Sequence, residues 1–166
     1  MRADYDFPKV TRADYPLLSQ WLSQPHIDGW WGSPSEEIAL IEEDIDEGPT
    51  DMRLVALNGH PFAFIQDYDL ADYPGPHLTD QPPCTRAIDT FLGDTGYLGK
   101  GHAPAYLRQR ALQLLKAGAT GILIDPDPAN TRAISAYRKA GFENGPVRDC
   151  GDGHRAQVMT FTASSL

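Results

Sequence analysis

Apolar residues along this chain recur at two periods, and the switches between them predict the order of its elements. Tyr5 to Lys9 reads as a short first strand, after which Thr11 caps a helix through Ser23 with Leu17, Leu18, Trp21 and Leu22 on one face. Pro25 opens a short segment that ends in Trp30-Trp31-Gly32. A second helix is expected with Ser35 as its cap. Glu36 and Glu37 favour its positive amino end, and Ile38, Leu40, Ile41 and Ile45 supply the apolar positions. Met52 to Leu57 and Phe62 to Tyr68 then form a hairpin around Asn58-Gly59, two residues that both tolerate positive φ.

Leu70 to Cys84 carries four prolines and one glycine and reads as a surface loop, long enough to suggest a function. Arg86 to Leu92 follows as a central strand, and Gly93 to Gly101 as a glycine-rich turn. The next helix places Leu107, Ala111, Leu114 and Leu115 at i, i+4, i+7 and i+8. Gly121 to Asp125 has the unbroken apolar character of a buried strand. Asp127 or Asn130 begins a last helix that stops at Gly141. Two final strands, near Pro146 to Asp149 and Gln157 to Thr162, flank the turn Gly151-Asp152-Gly153. The order β-α-α-β-β-β-α-β-α-β-β predicts an α/β fold of helices on a mixed sheet, and the length of 166 residues predicts a single domain, 1–166.

Composition removes several function classes. Hydrophobic residues at 41% and charged residues at 22% describe a globular chain. No apolar run reaches the ~20 residues of a bilayer span, and the first ten residues lack a secretory apolar stretch, so a cytoplasmic protein is expected. A net charge of −9 argues against a nucleic-acid partner and suits a cationic small molecule, although acidic balance also simply aids solubility. Cys84 and Cys150 make no disulfide framework, and Cys150 with His154 lacks the second pair a structural metal needs, so no metal is expected.

The chemistry concentrates in Leu98-Gly99-Lys100-Gly101-His102-Ala103, between a strand and a helix start. Glycines there allow close backbone approach, and helix-end N–H groups favour an anion. Pro104 fits the first helical turn, where its missing N–H costs nothing. A P-loop would need Gly where Asp94 stands and Ser or Thr where Gly101 stands; a dinucleotide fingerprint would need Gly where Pro104 stands. A coenzyme A diphosphate remains, beside the plain reading of a turn with no ligand.

These residues resemble the GNAT superfamily of N-acetyltransferases. Leu98 to Ala103 matches the family loop Q/R-x-x-G-x-G/A except at Leu98. Asn130, Ala133, Tyr137, Lys139 and Gly141-Phe142 fall in the family's N-x-x-A-x-x-x-Y-x-K-x-G-F helix. Pro25-His26-Ile27 with Trp30-Trp31-Gly32, Pro61 to Tyr68, Ala87-Ile88-Asp89 and Asp125 onward look most like the aminoglycoside 6′-N-acetyltransferase branch.

The resemblance implies a mixed, mostly antiparallel central sheet with helices on both faces. It implies acetyl-CoA as cosubstrate, held by Leu98, Gly99, Lys100, Gly101, His102, Ala103 and Asn130 in a gap where strand 86–92 splays from strand 121–125. An amine acceptor, aminoglycoside-like or another cationic small molecule, would attack directly. Asp89 would bind its ammonium and help accept the proton, and Tyr137 would be general acid to the leaving thiolate. Trp30, Trp31 and the loop 70–84 would wall the acceptor pocket, with one tryptophan lining it and the other in the core. Asp67, Asp69, Asp72 and Asp125 would make its mouth acidic. A siderophore-precursor acetyltransferase, a non-catalytic acyl-CoA sensor and a structural domain on the same fold stand as alternatives, and the protomer is expected as monomer or homodimer.

Overall fold

A computed structural model describes residues 4–162. Its elements are α1 (Tyr15–Leu22), α2 (Pro34–Asp44), β1 (Asp51–Leu57), β2 (His60–Asp69), β3 (Thr85–Leu92), α3 (His102–Lys116), β4 (Gly121–Ile124), α4 (Thr131–Ala140), β5 (Glu143–Asp149) and β6 (Arg155–Phe161). The strands are hydrogen-bonded in the order β1-β2-β3-β4-β6-β5. Pairs β1–β2, β4–β6 and β5–β6 are antiparallel and β3–β4 is parallel, so the fold is the mixed α/β sheet that the element order predicts. The chain divides into two compact units, residues 1–67 with 89–100 and residues 68–88 with 101–166.

In the first unit, Leu18, Trp21, Leu22, Ile27, Ile41, Met52, Leu54, Phe64 and Phe91 form one buried cluster. The expected strand at Tyr5 to Lys9 is reduced to two isolated bridges, Asp6 with Ala56 and Lys9 with Arg53. Pro8 explains the break: its carbonyl accepts from Leu54 N–H at 2.9 Å, but it has no N–H to return. Helix α2 starts at Ser33, two residues before the expected Ser35. Pro34 takes the first helical position, Ser33 N–H donates to Glu36 Oε2 at 2.9 Å, and Glu36 N–H donates to Ser33 Oγ at 3.3 Å. Such a reciprocal cap stabilises a helix end by about 1 kcal/mol. Ile38, Ile41 and Ile45 face inward as expected, whereas Leu40 is exposed because it stands off that face.

The hairpin turn is as expected: Asn58 and Gly59 have φ of 51° and 80°. The ladder slips between Val55 and Ala56, opposite Pro61, which cannot donate to it.

In the second unit the residues of β4 are all buried, and Ala87, Leu123 and Val158 pack with Tyr68, Leu70 and Leu78. Helix α3 buries Tyr106, Leu107, Ala111 and Leu114, and α4 stops at Gly141 with φ 116°. The last two strands begin earlier than predicted, at Glu143 and Arg155. A register shift between Asn144 and Val147 spans Gly145-Pro146, and this non-repeating stretch hides the strand from period-2 reading. Among the described residues no helix is long and apolar enough to cross a membrane.

Candidate functional site

The glycine-rich turn is fastened at its start and open at its end. Gly93 and Asp94 N–H groups both donate to Phe62 O, at 2.9 and 3.0 Å. Asp94 then caps the 3-10 turn Thr95–Tyr97, accepting from Gly96 N–H at 2.9 Å and facing His60 Nε2 at 2.9 Å. The His60 contact, the turn amide and Lys100 together hold the Asp94 carboxyl below the usual range. Tyr97 stacks on Phe62 at 4.4 Å and on His60 at 5.5 Å. Sequence reading gave none of these pinning residues a role, since the signal is a contact across more than thirty positions.

Beyond Tyr97 the chain changes character. Gly99 and Gly101 have φ of 69° and 81°, both are exposed, and a Cβ on either would meet no atom within 4 Å. Conformation, not packing, therefore requires glycine at both. Gly101 is the cap of α3, whose first amides have no carbonyl one turn back to bond, and Pro104 lies in that first turn. Lys100 adds a cation. Leu98 departs from the expectation, because its N–H already donates to Thr95 O at 3.3 Å; Gly99, Lys100, Gly101, His102 and Ala103 remain as the stretch whose backbone and charge suit a diphosphate.

The parallel ladder between β3 and β4 runs only from Thr85–Gly121 to Ala87–Leu123. Ile124 continues to pair with Met159 of β6, so β4 persists after its pairing with β3 has ended. The ladder with β3 therefore ends one residue before β4 does, next to Ile88.

In the first unit, Asp89 is half-buried and accepts from Gln66 Nε2 at 2.9 Å. Asp67 is 2% exposed, a buried carboxylate rather than one at the surface. The adjacent tryptophans separate: Trp31 sits edge-on to Phe91 at 4.9 Å and to Phe64 at 6.2 Å, while Trp30 is 46% exposed. Trp31 is the core residue of the pair.

In the second unit, Asn130 caps α4, its Oδ1 accepting from Ala133 N–H at 3.2 Å. Tyr137 is half-buried with its ring 6.5 Å from Phe142. Asp125 follows β4 directly and is mostly buried. Burial raises its pKa, and the partner His77, with Nε2 at 2.8 Å, works in the opposite direction. His77 comes from the loop 70–84 and lies 48 positions from that carboxylate, so no local sequence signal joins the two. Asp69 is spent on its own turn, accepting from Ala71 N–H at 2.9 Å. Arg148 clamps the loop through two bonds of 2.7 Å to Asp80, holding that carboxyl down at about 2. A carboxylate lowered in the fold stabilises above its ordinary value of 3.8 and loses that contribution as pH falls toward about 2. Cleavage of the 70–84 loop by an acid-active protease is therefore expected to rise across that interval, and Asp80→Asn should bring the same sensitivity to higher pH.

Comparison with known proteins places these features in a family. The family model for the acetyltransferase (GNAT) domain matches residues 10–150. The chain is 32% identical over 143 residues to the aminoglycoside N(6′)-acetyltransferase type 1 of Klebsiella pneumoniae, covering 81% of this chain and 71% of that one. A shorter match of 62 residues at 42% identity, over 37% of this chain and 57% of the other, is to a kanamycin resistance protein of Rhizobium radiobacter. The solved structure of AAC(6′)-Ib with coenzyme A and kanamycin is 27% identical, with a TM-score of 0.83 over 98% of this chain and 96% of that one. The same enzyme solved with acetyl-CoA gives the same score over 98% and 95%. Matched along most of its length by the family model and by a relative of which it covers 71%, the chain belongs to the GNAT acetyltransferases, in the branch of the aminoglycoside 6′-N-acetyltransferases.

Proposed function

We propose that this chain transfers an acetyl group from acetyl-CoA to an amine of an aminoglycoside or similar polyamine. Within the molecule, the observation that carries the reading is the β3–β4 ladder that opens after Ala87 while β4 remains paired to β6. An opened parallel pair leaves strand-edge N–H and C=O groups for an extended ligand arm to bond. The family membership and the diphosphate-type donors at the start of α3 support the same ligand.

Acetyl-CoA supplies the acetyl group as an activated thioester. The amides from Gly99 to Ala103, with Lys100, bind the diphosphate. A backbone N–H of β3 beyond Ala87 donates to the thioester carbonyl as negative charge develops there, which is worth about 3 kcal/mol. Asp89, steadied by Gln66, binds the acceptor ammonium and takes up its proton directly or through water. Tyr137 holds a proton at its hydroxyl for the departing thiolate, and a phenol near pKa ~10 can serve a thiol near ~8.5. Trp30 offers an aromatic wall for a sugar ring, while Asp67, Asp125 and the net charge of −9 favour a polycation.

The direct test is incubation with acetyl-CoA and a panel of amines, with free thiol followed. Kanamycin-type aminoglycosides should release thiol, and no release with any amine would end the reading; turnover confined to a hydroxylysine-type acceptor would move it to siderophore precursors. A second test addresses the turn. Ala in place of Gly101 meets no steric block but must hold positive φ, at about 1–2 kcal/mol. Gly101→Ala is expected to raise the acetyl-CoA KM roughly five- to thirtyfold with the amine KM nearly unchanged.

A further inference from the structure

The loop 70–84 carries a built arrangement around His77, a residue that acetyl transfer as described leaves unused. His77 lies in the 3-10 turn Pro76–Leu78, directly after Gly75. A Cβ on Gly75 would stand 2.9 Å from His77 Cε1, so a side chain there would displace the imidazole from its present position. Arg148 of β5 fixes the turn, donating to the His77 carbonyl at 3.2 Å and to both Asp80 oxygens at 2.7 Å. The ring is thereby held with Nε2 at 2.8 Å from Asp125 Oδ2.

The other ring nitrogen decides what this contact means. Nδ1 is buried and has no hydrogen-bond partner among the described residues. Nε2 is therefore the ring atom that holds the contact, donating its N–H to the Asp125 carboxylate. A buried orphan atom in a native fold calls for a reason, and fixing a mostly buried carboxylate at the end of β4 supplies one.

We propose that His77 is a positioning residue that sets acceptor specificity: its Nε2–H fixes Asp125 as an anchor for an ammonium group of the acceptor other than the one acetylated. This rests on the acetyl-transfer reading above.

The test compares two acceptors that share the reacting amine: kanamycin, a polyamine, and 6-amino-6-deoxyglucose, a monoamine. His77→Phe keeps a ring against Gly75 and removes the donor. It is expected to raise the kanamycin KM about tenfold, the effect of losing one hydrogen bond to a charged group. The monoamine KM, the acetyl-CoA KM and kcat should stay within twofold. His77→Gln, whose amide N–H can reach the same carboxylate, should recover most of the loss. Equal KM changes for both acceptors, or an unchanged kanamycin KM, would overturn the proposal. Should His77→Phe fold poorly, Asp125→Asn decides the same question: a KM rise selective for kanamycin supports the anchor, and a non-selective one refutes it. An active wild type with an insensitive His77→Phe sinks this inference alone, whereas a wild type that releases no thiol takes both readings down.

Discussion

Asp89→Asn is expected to lower kcat/KM for the amine by about a hundred- to a thousandfold, the range in which a positioned acid–base group contributes. The substitution is nearly isosteric and keeps an oxygen able to accept from Gln66 Nε2, so the melting temperature should shift little. What it removes is one negative charge on β3, two residues past the last ladder pair with β4. An ordinary carboxylate near pKa ~4 is a weak base for an amine, so binding of the ammonium is expected to carry much of the effect. That division has a signature. If Asp89 chiefly positions the amine, the loss falls mainly on KM; if it chiefly takes the proton, the loss falls on kcat and shrinks as pH rises and free amine accumulates. Gln66→Leu provides the control, since it keeps the charge and removes only its orientation, and its loss should be much smaller. Steady-state rates from pH 6 to 9 would separate these cases, and an Asp89→Asn enzyme with unchanged kcat/KM would remove the residue from the site.

Local chemistry explains which parts of this molecule the sequence disclosed. Asn58-Gly59 announces the hairpin because both residues are needed at positive φ. Asn130 and Gly141 bracket α4 because each solves a helix-end problem with its own side chain or lack of one. The glycine-rich turn is legible for the same reason. The failures are also physical. Ser33 and Ser35 both precede Glu36 or Glu37 closely enough to be caps, and only Pro34 at the first helical position decides between them. Pro8 is visible in the sequence, but its cost depends on which N–H the neighbouring strand needs. Trp30 and Trp31 are indistinguishable by type, and the aromatic faces of Phe64 and Phe91 choose between them. His77 against Asp125 and His60 against Asp94 join positions 48 and 34 apart, so no window of sequence contains both partners. Residues proposed to meet the ligands are therefore easier to read from a sequence than residues that fix their neighbours across the fold.

Gly93→Ala should be the most damaging small substitution in the first unit. This glycine is required by space: a Cβ there would lie 2.1 Å from Trp21 Cγ and 2.2 Å from Cδ2, far inside any van der Waals contact. Trp21 has little room to yield. It is 4% exposed, packs edge-on to Phe91 at 6.4 Å, and belongs to the cluster that holds Leu18, Leu54 and Phe64. Gly93 cannot move away either without breaking its N–H bond to Phe62 O at 2.9 Å, the bond from which the glycine-rich turn starts. Overpacking of this kind costs about 3 kcal/mol, which in a chain of this size lowers the melting temperature by roughly 6–12 °C. The two residues should also be coupled. Trp21→Leu destabilises by leaving a cavity, but in the double variant that cavity accepts the new methyl, so Gly93→Ala with Trp21→Leu should cost well under the sum of the single changes. Thermal melts of the three variants measure the cycle. Strict additivity, or a Gly93→Ala protein as stable as the parent, would show that the turn is not seated on the Trp21 ring, and would loosen the link from the core through Phe62 to the residues proposed to bind the diphosphate.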